Sequence, residues 1–94
     1  MKPVRFNKKA ENELLAIGAK YRQISTDLKA AFTESVESAI DQIQQFPAAW
    51  PESYKGHRKC LMKKFPYAII YKEHVQVIRI AAIAHFRRKP DYWH

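Results

Sequence analysis

The 94-residue chain is poor in glycine, cysteine and acidic residues, and the first two shortages exclude whole classes of function. Two glycines cannot build a glycine-rich phosphate-binding loop. The only cysteine, Cys60, cannot form an intrachain disulfide, and we expect it to be a small apolar strand residue rather than a reactive thiol. The four histidines lack the spacing of a zinc site, so we expect no metal and no other cofactor.

Long apolar segments are also missing. No run approaches the ~20 apolar residues that span a bilayer, and the N-terminus lacks the uninterrupted apolar segment of a signal peptide. We therefore expect a cytoplasmic protein without a membrane partner. Because domains usually run ~50–250 residues, residues 1–94 are expected to form a single domain.

The charge is strongly unbalanced. The chain has 17 Lys and Arg against 9 Asp and Glu, which gives a net charge of +8. Residues 55–64 carry five Lys or Arg and no acid, whereas residues 26–45 carry four acids and one Lys. A field of this kind attracts an anionic partner, whether nucleic acid or an acidic protein.

Periodicity predicts the order strand, helix, helix, strand, strand, strand. A strand at 2–6 precedes a helix at 8–24 with Asn7 as its N-cap. Ser25 or Thr26 caps a second helix, which Pro47 ends after about Phe46. A loop at 47–57 leads to strands at 58–64, 67–72 and 75–85. The predicted fold is α+β, with an N-terminal strand, a helical hairpin and a three-stranded antiparallel meander, the helices covering one face of the sheet.

Alternation along the last strand divides its residues between two faces. One set is mostly apolar and is assigned to the helix-covered face: Gln76, Ile78, Ile80, Ala82, Ala84 and Phe86. The other set is assigned to an open, partner-binding face: Val75, Val77, Arg79, Ala81, Ile83 and His85. The pattern therefore places Arg79 and His85 on the same open face.

Two strand residues could carry chemistry. His85 could be a general acid or base, since the unperturbed histidine pKa is about 6.5, or it could simply bond a backbone carbonyl at the strand end. Arg79 lies among apolar neighbours and needs a partner, which could be an anion or the carboxylate of Glu52 or Asp91.

The basic, aromatic tail has similar alternatives. Arg87, Arg88 and Lys89 could bind phosphates or remain solvated. Tyr92 and Trp93 could stack on bases, although we favour a role in closing the core.

The C-terminal third, FPYAIIYKEHVQVIRIAAIAHFRRKPDYW, resembles the signature of the ParE/RelE superfamily of toxins from type II toxin–antitoxin modules, and specifically its ParE-like branch. A basic pair followed by F-P-Y-x-I-x-Y is filled by Lys63, Lys64, Phe65, Pro66, Tyr67, Ile69 and Tyr71. The motif A-x-A-H-x-R-R-x-P-x-Y-W is filled by Ala82, Ala84, His85, Arg87, Arg88, Pro90, Tyr92 and Trp93. The upstream NKKAENELL and the long second helix are similar to the same family.

The resemblance implies a small basic toxin, of the kind associated with plasmid stabilisation, that a cognate antitoxin neutralises. ParE-like members inhibit DNA gyrase by binding, whereas RelE-like members cut mRNA in the ribosome without metal. The residues that we expect to bind the target or the antitoxin are Arg58, Lys63, Lys64, Arg79, His85, Arg87, Arg88, Tyr92 and Trp93. An exposed groove awaiting the antitoxin would also permit a homodimer.

Two positions in the sequence bear on whether the target is gyrase or the ribosome and its mRNA. RelE-like nucleases place an arginine in the third strand, where this chain has Ala68, and a tyrosine after the histidine, where it has Phe86. His85 alone matches, so it would be catalytic only if the protein were a ribonuclease. We therefore favour a binding toxin over an enzyme, with Arg79 or Lys64 as the substitute cation in the nuclease alternative.

Overall fold

The computed structural model describes residues 1–86. Their elements are β1 (Val4–Phe6), α1 (Lys8–Ile24), α2 (Thr26–Gln45), β2 (Arg58–Leu61), β3 (Tyr67–Glu73) and β4 (Ile78–His85), with a short 3₁₀ turn at Tyr54–Gly56 before β2. The predicted element order and the α+β class are confirmed. β2 ends three residues earlier than expected and β4 starts three residues later, because loops occupy both places.

Two side-chain caps define the helical hairpin. Asn7 Oδ1 accepts a hydrogen bond from the Ala10 amide at 2.8 Å, as predicted. Ser25 ends α1 by donating its amide to the Tyr21 carbonyl, and its hydroxyl accepts from the Leu28 amide at 2.9 Å to begin α2. Because one residue serves both helices, α2 turns back directly along α1.

The sheet has the order β1-β4-β3-β2. The pairs β2–β3 and β3–β4 are antiparallel, which confirms the meander. The β1–β4 pair is parallel, with Val4 opposite Ile78, so the sheet is not wholly antiparallel. The helical hairpin carries the chain from β1 to the far edge of the sheet, and the meander then returns strand by strand to β1.

The main core lies between the helices and one face of the sheet. Its centre is aromatic, since the Phe32 ring lies 5.3 Å from Tyr21 and 5.4 Å from Phe65 between centroids. Its other fully buried large side chains are Ile43, Cys60, Ile69, Tyr71, Ile78 and Ile80. Burial of this apolar surface is the main stabilising contribution to a domain of this size.

A β-bulge in β4 changes which residues face the helices. Ile80 is opposite Tyr71 and Ala82 is opposite Ile70, so Ala81 has no partner on β3. The extra residue reverses the alternation, and Ile83 joins Ile78 and Ile80 in the helix-side core.

The predicted face assignment is therefore right up to Ala81 and wrong from Ala82 to His85. Ala82 and Ala84 lie on the opposite face, in a smaller buried cluster with Ala68, Ile70 and Ala81. His85 falls on the helix-covered face, whereas Arg79 keeps its place on the open face between two fully buried isoleucines. The two residues do not share a surface.

Neither helix within residues 1–86 combines the length and the apolarity that crossing a membrane requires.

Candidate functional site

The β2–β3 loop, residues 62–66, holds Lys63 and Lys64 at one end of the sheet. Met62 and Phe65 are buried, which leaves the two lysines pointing away from the core. The Ser35 hydroxyl on α2 donates to the Lys63 carbonyl at 2.8 Å and ties the loop to the helix. Lys64 has a φ of 70°, a conformation that non-glycine residues rarely adopt. The loop thus presents two adjacent ammonium groups on a fixed backbone.

His85 lies at the same end of the sheet. It is opposite Tyr67 in the β3–β4 ladder, and the two rings meet edge-on with centroids 5.4 Å apart. The next residue, Phe86, donates its amide to the Pro66 carbonyl at 3.0 Å. This bond joins the end of β4 to the β2–β3 loop and brings His85 into the neighbourhood of the lysines.

A pocket of about 250 Å³ opens between α1 and this end of the sheet. It is lined by Glu13, Ala16, Ile17, Tyr67, Ile83 and His85. A carboxylate, a phenol and an imidazole therefore share one cavity, which is an acid–base set in composition. Tyr67 was quoted above only as a motif residue, and Glu13 had no signal among the other charges of α1.

Glu13 has a clear structural role in this pocket. Its Oε1 accepts from the Ile83 amide at 3.0 Å, and its Oε2 lies 3.6 Å from Lys9 Nζ. β1 ends opposite Ile80, so β4 has an open edge beyond that point. The Glu13 carboxylate satisfies an amide that β1 is too short to reach, and it positions α1 against β4.

The phenol of Tyr21 lies behind the pocket, next to Tyr67, and stays protonated at neutral pH. Burial raises the pKa of Tyr21 above its ordinary value, and the neighbouring Tyr67, with which it shares a side-chain hydrogen bond, raises it further. Tyr21 can therefore donate or accept a hydrogen bond, but it supplies no negative charge.

Arg58 lies toward the opposite end and is occupied within the protein. Its guanidinium donates to the Trp50 carbonyl and lies 3.5 Å from Glu52 Oε1. The Trp50 ring packs edge-on against Tyr71, as a loop anchor would, with centroids 6.3 Å apart. Arg58 thus fastens the loop before β2 in addition to any contact it makes with a partner.

Arg79 is exposed on the open face, opposite Arg5 on β1 and Lys72 on β3. The alternative that it pairs with Glu52 is not realised, since Glu52 binds Arg58. Six residues separate Arg79 from His85 along β4, or about 20 Å at the rise of a strand. Lys63, Lys64 and His85 therefore lie at one end of the sheet, the lysines and the histidine in different pockets, and Arg58 and Arg79 lie toward the other end.

The predictions for Arg87, Arg88, Lys89, Asp91, Tyr92 and Trp93 lie outside the described residues.

Two grooves lie against the helices. The α1–α2 groove, about 330 Å³, has an apolar floor and is lined by Phe6, Leu14, Leu15, Gly18, Lys29, Phe32, Thr33, Val36, Glu37 and Ile40. Leu15 at its rim is 66% exposed. The second groove, about 200 Å³, lies between α2 and the strand edge and includes Leu61, Lys63 and Lys64.

Cys60 is 1% exposed within the core, and burial raises its pKa to about 11. The thiol is therefore un-ionised at neutral pH, as expected for a structural cysteine. Within residues 1–86, no group of three or more His, Cys, Asp or Glu side chains is close enough to hold a metal ion.

Comparison with known proteins places this architecture in a known class. The fold is that of the ParE-like α+β proteins. Residues 4–90 match the family model described as the ParE toxin of the type II toxin–antitoxin system parDE. The chain belongs to this toxin family, which confirms the resemblance seen in the sequence.

A solved structure supports the same fold. It is described as the chromosomal ParDE toxin–antitoxin system from P. aeruginosa and is 18% identical to the chain, with a TM-score of 0.64. The alignment covers 90% of this chain and 96% of that one. No curated protein sequence matches the chain significantly.

Proposed function

We propose that the chain is the toxin of a type II toxin–antitoxin module, that it inhibits DNA gyrase by binding, and that a cognate antitoxin neutralises it in the cytoplasm. The observation that carries the binding mechanism is the setting of Ala68. This residue occupies the position at which RelE-like nucleases are expected to have an arginine. It is 2% exposed and packs with Ile70 and Ala82 in an apolar cluster.

Arg79 is too far away to replace that arginine. It is opposite Lys72, four residues beyond Ala68 on β3, or about 13 Å along the strand. A cation at that distance cannot stabilise charge on a phosphate held over Ala68. Lys64, at the near end of β3, is the remaining substitute.

We assign target contact first to Lys63 and Lys64, with His85 at the same end of the sheet making at most a minor contact. The two lysines are exposed on a loop that the Ser35 hydroxyl ties to α2. Positive charge at this end would attract an acidic surface of the target and speed the encounter. Arg58 and Arg79 are assigned at most secondary contacts, since they lie at the other end.

We assign antitoxin binding to the α1–α2 groove. An apolar floor with exposed Leu15 at its rim suits the apolar face of an amphipathic segment. Occupation of this groove by a second copy of the chain would give a homodimer in the absence of antitoxin.

The test is a gyrase supercoiling assay with purified protein. We expect micromolar toxin to block supercoiling or to trap cleaved DNA, and we expect His85→Ala to retain most of this activity. Full supercoiling at micromolar toxin would contradict the proposal.

A ribosome-dependent mRNA endoribonuclease is the second candidate, because Glu13, Tyr67 and His85 share a pocket. Primer extension on translated mRNA would then show cuts within codons, and His85→Ala would slow cutting about 10²-fold or more. Intact mRNA on ribosomes with wild-type toxin would eliminate this candidate.

A further inference from the structure

Three basic side chains cross the open face of the sheet in one row. Arg5 on β1 is opposite Arg79 on β4, and Arg79 is opposite Lys72 on β3. These three residues are called the cationic row. Neighbouring strands lie about 4.8 Å apart, so the row spans about 10 Å across the sheet.

The row points away from the helices. On each strand the flanking residues turn toward the helix-side core: Val4 and Phe6, Ile78 and Ile80, and Tyr71 before Lys72. Arg5 and Arg79 are exposed, and the end of the Lys72 side chain lies beside Gly56. Arg5 and Arg79 are therefore exposed on one surface with the half-buried Lys72 beside them, and Arg5 Nη1 also donates to the Val4 carbonyl at 3.3 Å.

None of the three forms an ion pair within residues 1–86. Glu73 follows Lys72 in the chain, but it is held 2.7 Å from Lys2 Nζ. Like charges directly opposite each other weaken a sheet. Repulsion within the row therefore destabilises the fold, and a bound polyanion would reduce this repulsion.

The shape of this surface favours a nucleic-acid backbone over an acidic protein segment. Stable protein segments are usually anchored by an apolar side chain in a pocket, and the three pockets described above are lined by other residues. Phosphates need only cations in reach, and guanidinium groups match them with paired hydrogen bonds.

We propose that the cationic row binds the phosphate backbone of a nucleic acid. This contact is additional to gyrase inhibition and antitoxin binding. It requires neither partner, so it can be tested with the toxin alone.

The test measures binding to a short fluorescein-labelled DNA duplex by anisotropy in NaCl from about 50 to 200 mM, the range over which phosphate contacts weaken strongly. The row variant carries Arg5→Gln, Lys72→Gln and Arg79→Gln. The matched control carries Lys8→Gln, Lys20→Gln and Arg22→Gln on exposed positions of α1, so both variants lose the same charge.

We expect the row variant to lose at least about tenfold in affinity at low salt, and its slope of log K against log salt to fall by about 2 to 3, because each phosphate contact contributes about 0.9. The control should keep its slope within about one unit. Arg79→Gln alone, which changes one exposed side chain, should lower the slope by about 0.9 and covers the case in which the row variant does not fold.

Two results would overturn the proposal. Equal losses of DNA affinity by the row variant and the control would mean that DNA binding depends only on the net charge of the protein. The same comparison with polyglutamate in place of DNA tests an acidic protein segment as the alternative partner. If the row variant keeps its affinity for DNA but no longer binds polyglutamate, the row receives an acidic protein segment instead.

Discussion

The proposal that the α1–α2 groove binds the antitoxin can be tested with two variants of matched exposure. Leu15 and Ile24 are both on α1 and both 66% exposed, but only Leu15 lines the α1–α2 groove. Replacing each by Asp adds the same charge to the same helix. The comparison therefore isolates the groove from the general effect of a new carboxylate.

The expected magnitude follows from burial. Covering an exposed leucine in an interface stabilises a complex by about 1.5–3 kcal/mol, and each 1.4 kcal/mol changes Kd tenfold. Leu15→Asp should lose this stabilisation of the complex, and it should place a carboxylate against the apolar floor of the groove. We expect its affinity for the antitoxin to fall at least 10–100-fold, and that of Ile24→Asp to fall less than about threefold.

The assay is calorimetric titration of the purified toxin variants with the proposed cognate antitoxin. Both sites are exposed, so both variants should unfold within about 0.5 kcal/mol of wild type, and melting curves check this. Equal affinities of the two variants for the antitoxin would refute the assignment of the groove.

Three further predictions concern stability. The Tyr71 hydroxyl donates to the Pro47 carbonyl at 2.6 Å, so Tyr71→Phe should cost about 1 kcal/mol and lower Tm by about 4–8 °C; an unchanged Tm in calorimetry would contradict this role. Burial raises the pKa of Tyr71 to about 12 and that of Cys60 to about 11 from ordinary values of 10.0 and 9.0. The unfolded chain therefore releases these protons at a lower pH than the folded chain does. The contribution of the two groups to the free energy of unfolding should be complete below pH 9 and should fall as the pH rises toward 12. In denaturant titrations, Tyr71→Phe should make the free energy of unfolding depend less on pH between pH 10 and 12 than it does in the wild type. The same pH dependence in both proteins would contradict this prediction. Arg79→Gln removes the like-charge contacts with Arg5 and Lys72 and should raise the free energy of unfolding by about 0.2–1 kcal/mol, whereas a decrease would show that the row is not strained.

The helices could be predicted well because their signals are local. Asn7 and Ser25 bond amides three residues away, and Pro47 blocks the helix by its own geometry. The family signature at residues 63–71 and 82–93 is also a local pattern, and the family match confirms it.

The bulge could not be predicted, because it depends on pairing between strands. The segment Ile78–His85 reads as a regular alternating strand, and nothing in its residue types marks Ala81 as the extra one. One unpaired residue moved His85 to the helix side, off the face that carries Arg79. The wrong face assigned to His85 has this cause, whereas its distance from Arg79 follows from their spacing along β4.

The roles of Glu13 and β1 were missed for a related reason. Glu13 acts where β1 has stopped opposite Ile80, since its carboxylate accepts from the Ile83 amide three residues further along β4. The parallel β1–β4 pair joins segments more than seventy residues apart, which no local pattern reports. Contacts of this kind follow from topology rather than from the residues taken one segment at a time.

The central claim is that this protein arrests growth by binding rather than by cleavage. The most direct measurement is growth after induced expression of the wild type and of His85→Ala, each with and without the neighbouring antitoxin. We expect arrest by both forms alone and recovery when the antitoxin is present. Normal growth with wild-type protein alone, or loss of toxicity in a folded His85→Ala variant, would contradict it.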